Sequence, residues 1–275
     1  MHSLLNRFTR LHMRSIRAAL VICLALLCGA TAFSDPIHDA ARKGNVKKIK
    51  EILASDPKAV NARDNLGDTP LHSACLHNQF AAVQALVAAG ADVNAKNSYP
   101  PFLPDDLGQF FSNTNHTDPI TLLHSQATKR SDELNTQQVT AQEVKEKGYT
   151  PLQLAEFASG HNKIIQYLVA HGADVNAQGA TGATALFFAV LRDQGDDVKF
   201  LLAHGANPNI AEAYGDTPLV CALQLGYVSL VKPLVEKGAD VNVVNQYGMR
   251  ALGYAMQNQQ DSSIVDYLKQ KGAHQ

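Results

Sequence analysis

Three copies of one phrase constrain how this chain can fold: GDTPLHSA from Gly67, GYTPLQLA from Gly148 and GDTPLVCA from Gly215. Each is followed by GADVN, from Gly90, Gly172 and Gly238, and Gly205 opens the variant GANPN. Gly148, Gly182, Gly215 and Gly248 recur at a nearly constant interval, a period of about 33 residues. A fixed period of this length describes a stack of small similar units, none of which can bury its apolar face alone. Such a stack grows by addition, so the length of 275 residues requires no second domain.

Each part of the phrase has a physical task. Thr69 can cap the free N–H groups of a helix start, and Pro70 sits where no N–H is needed. Leu71, Ala74 and Leu76 are apolar at helical spacing, and the small Ala74 allows close approach of neighbouring helices. A second helix is expected from about Phe80 to Ala89, with Val83, Leu86 and Val87 on one face. Gly90 ends it, being free to take positive φ. The following ADVNAKN turns the chain toward the next unit.

On this basis the units are expected at 35–64, 65–97, 145–179, 180–212, 213–245 and 246–275. The first carries extra Lys, which suits an outer cap. The fourth loses only the Pro of its phrase, at Ala185, so its helix start should survive. In the sixth, Arg250-Ala251 stands where Thr-Pro is expected, the drift of a terminal unit. Residues 98–144 break the period. The interval from Thr69 to Thr150 is about two and a half periods, which fits a degenerate unit with an added loop. LLHSQA from Leu122 echoes the phrase. The first half of this stretch is rich in Pro, Asn and aromatic residues and cannot be a regular helix pair, whereas the second half reads as helical, with Ser131 a cap. It is either a tolerated surface insertion or an arm that touches a partner through Tyr99, Phe102, Phe110 and Phe111, since long loops on rigid scaffolds tend to be functional.

The TPLH and GADVN phrases in phase resemble those of the ankyrin-repeat family, of its exported bacterial type. The resemblance implies an all-α solenoid of stacked helix-turn-helix units with hairpin loops, about six to seven repeats, and here one long insertion. It implies a concave face that grips another protein, with no catalytic residues, no metal and no cofactor. In that family, contacts lie beside the hairpin glycine and on the exposed side of the first helix. These positions are Leu66, Asp68, His77, Tyr149, Tyr214, Asp216, Leu225, Tyr247 and Met249. Tyr and Met at hairpin tips are the anchors that interfaces favour.

The N-terminus bears on location. Arg7, Arg10, Arg14 and Arg17 precede a charge-free run from Ala18 to Ala32, and Ala30-Thr31-Ala32 suits cleavage. Residues 1–32 thus read as a secretory signal, most plausibly into a bacterial periplasm, with 33–275 as the repeat domain. The charge-free run is short for a membrane span, which needs roughly 20 residues. A lipoprotein through Cys28 is the rival, disfavoured by the bulky Leu27, and Met13 is an alternative start. Lys+Arg number 24 and Asp+Glu 25, and the leader removes four Arg and no acid, so the remaining 20 against 25 give a formal charge near −5. That balance offers no basic face for nucleic acid. Cys75 and Cys221 remain, too many layers apart for a disulfide, and read as small buried hydrophobes.

The 11 His do not point to an enzyme. His38 and His72, with His124 a third candidate, occupy equivalent places in the phrase, where the family's imidazole ties neighbouring turns together. His171 and His204 each precede a helix-ending Gly. The chain has no HExxH, paired CxxC, GxSxG or GxxxxGK[ST]. The expected function is therefore that of a non-enzymatic exported protein that binds and supports a protein partner. Exported bacterial members resembling this chain include some that assist a catalase against peroxide. The alternatives are an immunity protein that neutralises an antibacterial toxin such as a lipase, and an effector that binds a host protein.

Overall fold

The computed structural model of the chain describes residues 35–98, 148–158, 162–213, 215–246, 248–257 and 262–274. Residues 1–34 and the bulk of the 98–144 stretch, His124 included, lie outside them. Among the described residues twelve α-helices form six pairs. They are α1 Pro36–Arg42 with α2 Val46–Ser55, α3 Pro70–Leu76 with α4 Phe80–Ala88, and α5 Pro151–Phe157 with α6 Asn162–Ala170. Then follow α7 Ala185–Leu191 with α8 Gly195–Ala203, α9 Pro218–Leu225 with α10 Val228–Glu236, and α11 Ala251–Gln257 with α12 Ser262–Gln270.

The helix starts follow from the repeated Thr. The Thr150, Thr184 and Thr217 side chains accept from the backbone N–H three residues on, at 3.4, 3.3 and 3.4 Å. Thr184 does so with Ala185 behind it in place of Pro, so the cap alone suffices to start α7. From the second unit onward the second helix of each pair is followed by a glycine of positive φ, from +86° at Gly172 to +90° at Gly238.

The first helices of the pairs form one layer and the second helices another, with counterparts in successive units packed on each other and α10 meeting α12 where Lys232 lies over the Tyr267 ring. Leu71, Leu152, Leu186, Leu219 and Leu252, at one register, are at most 2% exposed. Burying each of these contributes roughly 1.5–3 kcal/mol to the stack. Ala74, Ala155, Ala189, Ala222 and Ala255, three residues on, are fully buried, because a larger side chain would hold the layers apart. Leu76 departs from expectation. It is half-buried, whereas Phe157 at the same register of the third unit is 8% exposed. Neither Cys75 on α3 nor Cys221 on α9 forms a disulfide, and both are buried.

The stack runs without interruption from the second unit to the third. Helix α3 packs directly on α5, and α4 on α6. The Asn97 N–H donates to Tyr149 O at 3.1 Å, as Asp64 N–H does to Asp68 O at 3.0 Å. Tyr149 N–H donates to Asn97 Oδ1 at 2.7 Å, the counterpart of Asp68 N–H on Asp64 Oδ1 and Met249 N–H on Asn245 Oδ1, both 3.0 Å. Asn97 and Tyr149 thus take the places of the first and last residues of an ordinary hairpin turn, with Ser98 second and Gly148 next to last. Residues 99–147 stand where such a turn has a single residue, Leu66 in the preceding unit. The interval from Thr69 to Thr150 is therefore one period with a long insertion at a hairpin tip.

Candidate protein-interaction surface

An asparagine ladder fixes the spacing of the hairpins. The last residue of each GADVN or GANPN phrase donates from Nδ2 to the helix-ending Gly of the next unit: Asn94 to Gly172 O, Asn176 to Gly205 O, Asn209 to Gly238 O and Asn242 to Gly272 O, at 2.8–3.0 Å. Asn61 does the same to Gly90 O at 3.3 Å. Each Oδ1 accepts from the N–H two residues beyond that glycine, at Asp92, Asp174, Asn207, Asp240 and His274. These rungs join all six described units, and the sequence had shown these residues only as turn formers.

A second ladder uses the fourth residue of the TPLH phrase. His38 Nε2 lies 2.8 Å from Asp68 O, and His72 Nε2 2.9 Å from Tyr149 O, as expected of an imidazole that ties neighbouring turns. Thr69 N–H can only donate and lies 3.1 Å from His72 Nδ1, so Nδ1 accepts and the proton resides on Nε2. Burial outweighs the attraction of the Tyr149 carbonyl for a charged ring and pulls the His72 pKa down to about 4. In the third unit Gln153 reproduces both bonds. Its Oε1 accepts from Thr150 N–H at 2.8 Å and its Nε2 donates to Ala183 O at 2.8 Å. His171 and His204 each bring Nδ1 within 2.7–2.8 Å of the carbonyl four residues back, and both are exposed. Repetition at one register marks all of these as structural.

The residues expected at the contact surface divide into four groups. Leu66 is 36% exposed at its hairpin tip, and His77, Leu225 and Met249 are half-buried or exposed along the tips and the ends of the first helices. Asp68 and Tyr149 are instead buried, at 5% and 9% exposure. The next unit closes over them. Asp68 accepts from Asn97 Nδ2 at 2.8 Å, and burial pushes its carboxyl up to about 7. The Tyr149 ring sits edge-on to Phe188, with centroids 5.9 Å apart, in an apolar cluster with Leu154, Phe157 and Ala183. These two residues therefore build the fold. Asp216 is intermediate and held by Asn245 Nδ2 at 2.7 Å and Gln224 Nε2 at 2.8 Å. Tyr214, Tyr247, Tyr99, Phe102, Phe110 and Phe111 lie outside the described residues.

Two exposed apolar side chains went unread in the sequence, Val244 at 47% and Met256 at 45%. Val244 precedes the last hairpin turn. Met256 occupies a register that is fully buried at Cys75, Val190 and Leu223 and open here because no described unit follows. The surface thus offers Leu66, Leu225, Val244, Met249 and Met256 along tips and first helices. Among the described residues no three acidic, His or Cys side chains are grouped to hold a metal ion. No described helix is long and apolar enough to cross a membrane.

A family model described as ankyrin repeats (3 copies) matches residues 11–97, 111–212 and 186–275. The putative ankyrin repeat protein YahD of Escherichia coli K12 is 33% identical over 159 residues, covering 57% of this chain and 70% of that protein. A solved ankyrin repeat domain from Acinetobacter baumannii superposes with a TM-score of 0.64 at 28% identity, over 87% of this chain and 98% of that one. A transient receptor potential cation channel homologue of Caenorhabditis elegans is 44% identical over 61 residues, which are 22% of this chain and 5% of the channel. The chain thus spans most of the short bacterial relative and a small fraction of the large channel.

Proposed function

Because this chain belongs to the ankyrin-repeat family, whose fold is a protein-interaction scaffold, we propose that it is a non-enzymatic binding protein that recognises its partner with the hairpin tips and the insertion at 99–147. The observation that carries this reading is the placement of the insertion. Extra chain enters at one hairpin tip, one turn along the stack from the exposed Leu66, while the flanking units remain stacked. A scaffold that keeps its register around so long an addition presents that addition on a rigid base. Tyr99, Phe102, Phe110 and Phe111 supply its anchors, and Leu66, His77, Tyr214, Leu225, Tyr247 and Met249 extend the surface along the tips.

The leader features of residues 1–32 support export to a periplasm, where the protein would bind and support a resident partner, an enzyme of peroxide defence such as a catalase being the first to try. The test is a pull-down from an envelope extract with residues 33–275, beside a version in which 99–147 are replaced by a short linker. The expected result is one stoichiometric partner, lost with the replacement. Retention of that partner by the shortened chain would move recognition to the tips alone. Capture of nothing from the organism's own extract, with capture of a competitor's toxin, would favour an immunity role.

A further inference from the structure

Two carboxylates occupy core positions at a single junction of the stack. Counting from the helix cap, Glu156 stands at the register of Ala41, Cys75, Val190 and Leu223, all fully buried and none charged. Glu156 is also fully buried, and among the described residues neither carboxylate oxygen has a hydrogen-bond partner. Asp197, third residue of α8, stands at the register of Ala82, Ile164, Leu230 and Ile264, and is 3% exposed. Its Oδ1 accepts from Asn162 Nδ2 at 2.8 Å. One acid comes from the first helix of the third unit and the other from the second helix of the fourth, so both lie where these units meet.

Among the described residues the surroundings supply no compensating charge. The titratable and charged groups on the elements around α5 are His72 and Cys75 on α3 with His77 at its end, and Lys163 and Tyr167 on α6. Arg192 follows α7, and α8 carries Asp196, Asp197 and Lys199. Among these, Asp197 is the group whose charge bears on Glu156, and it repels. A buried, unpaired carboxylate is costly, and two near each other more so.

We propose that Glu156 and Asp197 make the junction between the third and fourth units a proton-controlled joint, closed when Glu156 is protonated and loosened when it ionises. Burial, then repulsion from Asp197, holds the Glu156 pKa well above its ordinary value of 4.5, and burial also raises that of Asp197. The sign follows. Below the ordinary carboxyl range the folded and unfolded chains are both protonated and the junction is fully stable. Above it the unfolded chain loses its proton first, so stability falls with rising pH, until the raised folded value is passed. Across that window each pH unit increases the population of the opened junction up to about tenfold per carboxyl.

The experiment is hydrogen exchange on the full chain from pH 5 to pH 8, with rates corrected for intrinsic pH dependence. Protection in α5 to α8 is expected to fall with rising pH by more than that in α9 to α12. Glu156→Gln should abolish this difference and Asp197→Asn should shrink it and end it at lower pH, since the repulsion that helps raise Glu156 is gone. Glu156→Leu, which copies the fifth unit at this register, should be protected equally at both pH values, and keeps the test open should the Gln variant fold poorly. An unchanged pH response in Glu156→Gln, or a loss of protection spread evenly over all six units, would overturn the proposal. So would full restoration of protection at pH 8 by millimolar calcium, which would make a cation, rather than a proton, the ligand of the joint.

Discussion

The asparagine that ends each GADVN phrase bonds two backbone groups of the following unit, one through each side-chain atom. Asn209 donates to Gly238 O at 2.8 Å and accepts from Asp240 N–H at 2.7 Å. A typical hydrogen bond nets about 0.5–1.5 kcal/mol, so Asn209→Ala is expected to cost about 1–3 kcal/mol in a urea titration. His72 makes bonds of the same kind in a buried setting. His72→Ala leaves Thr69 N–H without its partner and Tyr149 O with the Asn97 N–H but not the imidazole, and should cost about 2–4 kcal/mol, whereas His72→Gln, which copies Gln153, should stay within about 1 kcal/mol of wild type. The pH dependence discriminates further. With the His72 pKa lowered from 6.5 to about 4, its stability contribution is complete above the upper value and is lost as pH falls toward the lower one. Asp68, raised from 3.8 to about 7, contributes the reverse over nearly the same range. The two offset each other in the wild type, and His72→Gln is expected to unmask a rise in stability on acidification from pH 7 to pH 4. A flat profile in that variant would show that Asp68 is not held neutral by its burial.

Helix starts and stops were legible because Thr-Pro and Gly act locally: the cap bonds lie within three residues of the Thr, and the glycines take the φ that their position demands. The close approach of separate segments was not legible. A Cβ at Gly148 would stand 1.6 Å from the carbonyl oxygen of Asn97, a backbone atom that cannot swing aside. Gly148→Ala is therefore expected to displace the returning chain and cost about 1–3 kcal/mol, read as a lowered urea midpoint with weakened protection of α5. Gly253 offers the contrast. It lies inside α11 and its added Cβ would meet only the far end of the Met249 side chain at 3.4 Å. Gly253→Ala should gain up to about 1 kcal/mol from helix propensity. In the sequence both are glycines near a repeated phrase; what separates them is the backbone of Asn97, which lies on the far side of the insertion in the chain.

At the scale of the molecule, residues 99–147 are flanked by the two halves of one turn, in which Asn97 and Tyr149 are hydrogen-bonded to each other. Replacing them with a few residues should leave the thermal midpoint within a few degrees of wild type, because no rung of either ladder and no described layer is removed; a large fall would mean that the insertion forms part of the core. The period, the caps and the alternation of large and small apolar residues were enough for the sequence to determine the solenoid, the order of its units and the structural duty of His38 and His72, since each is a local or strictly repeated signal. Only the tertiary structure decided that the second unit adjoins the third, that Asp68 and Tyr149 are buried while Leu66 is not, and that Glu156 and Asp197 share a junction. The reason is common to all three. Burial in a stack is set by whichever unit lies against a residue, and a long break in the period hides from the sequence which unit that is.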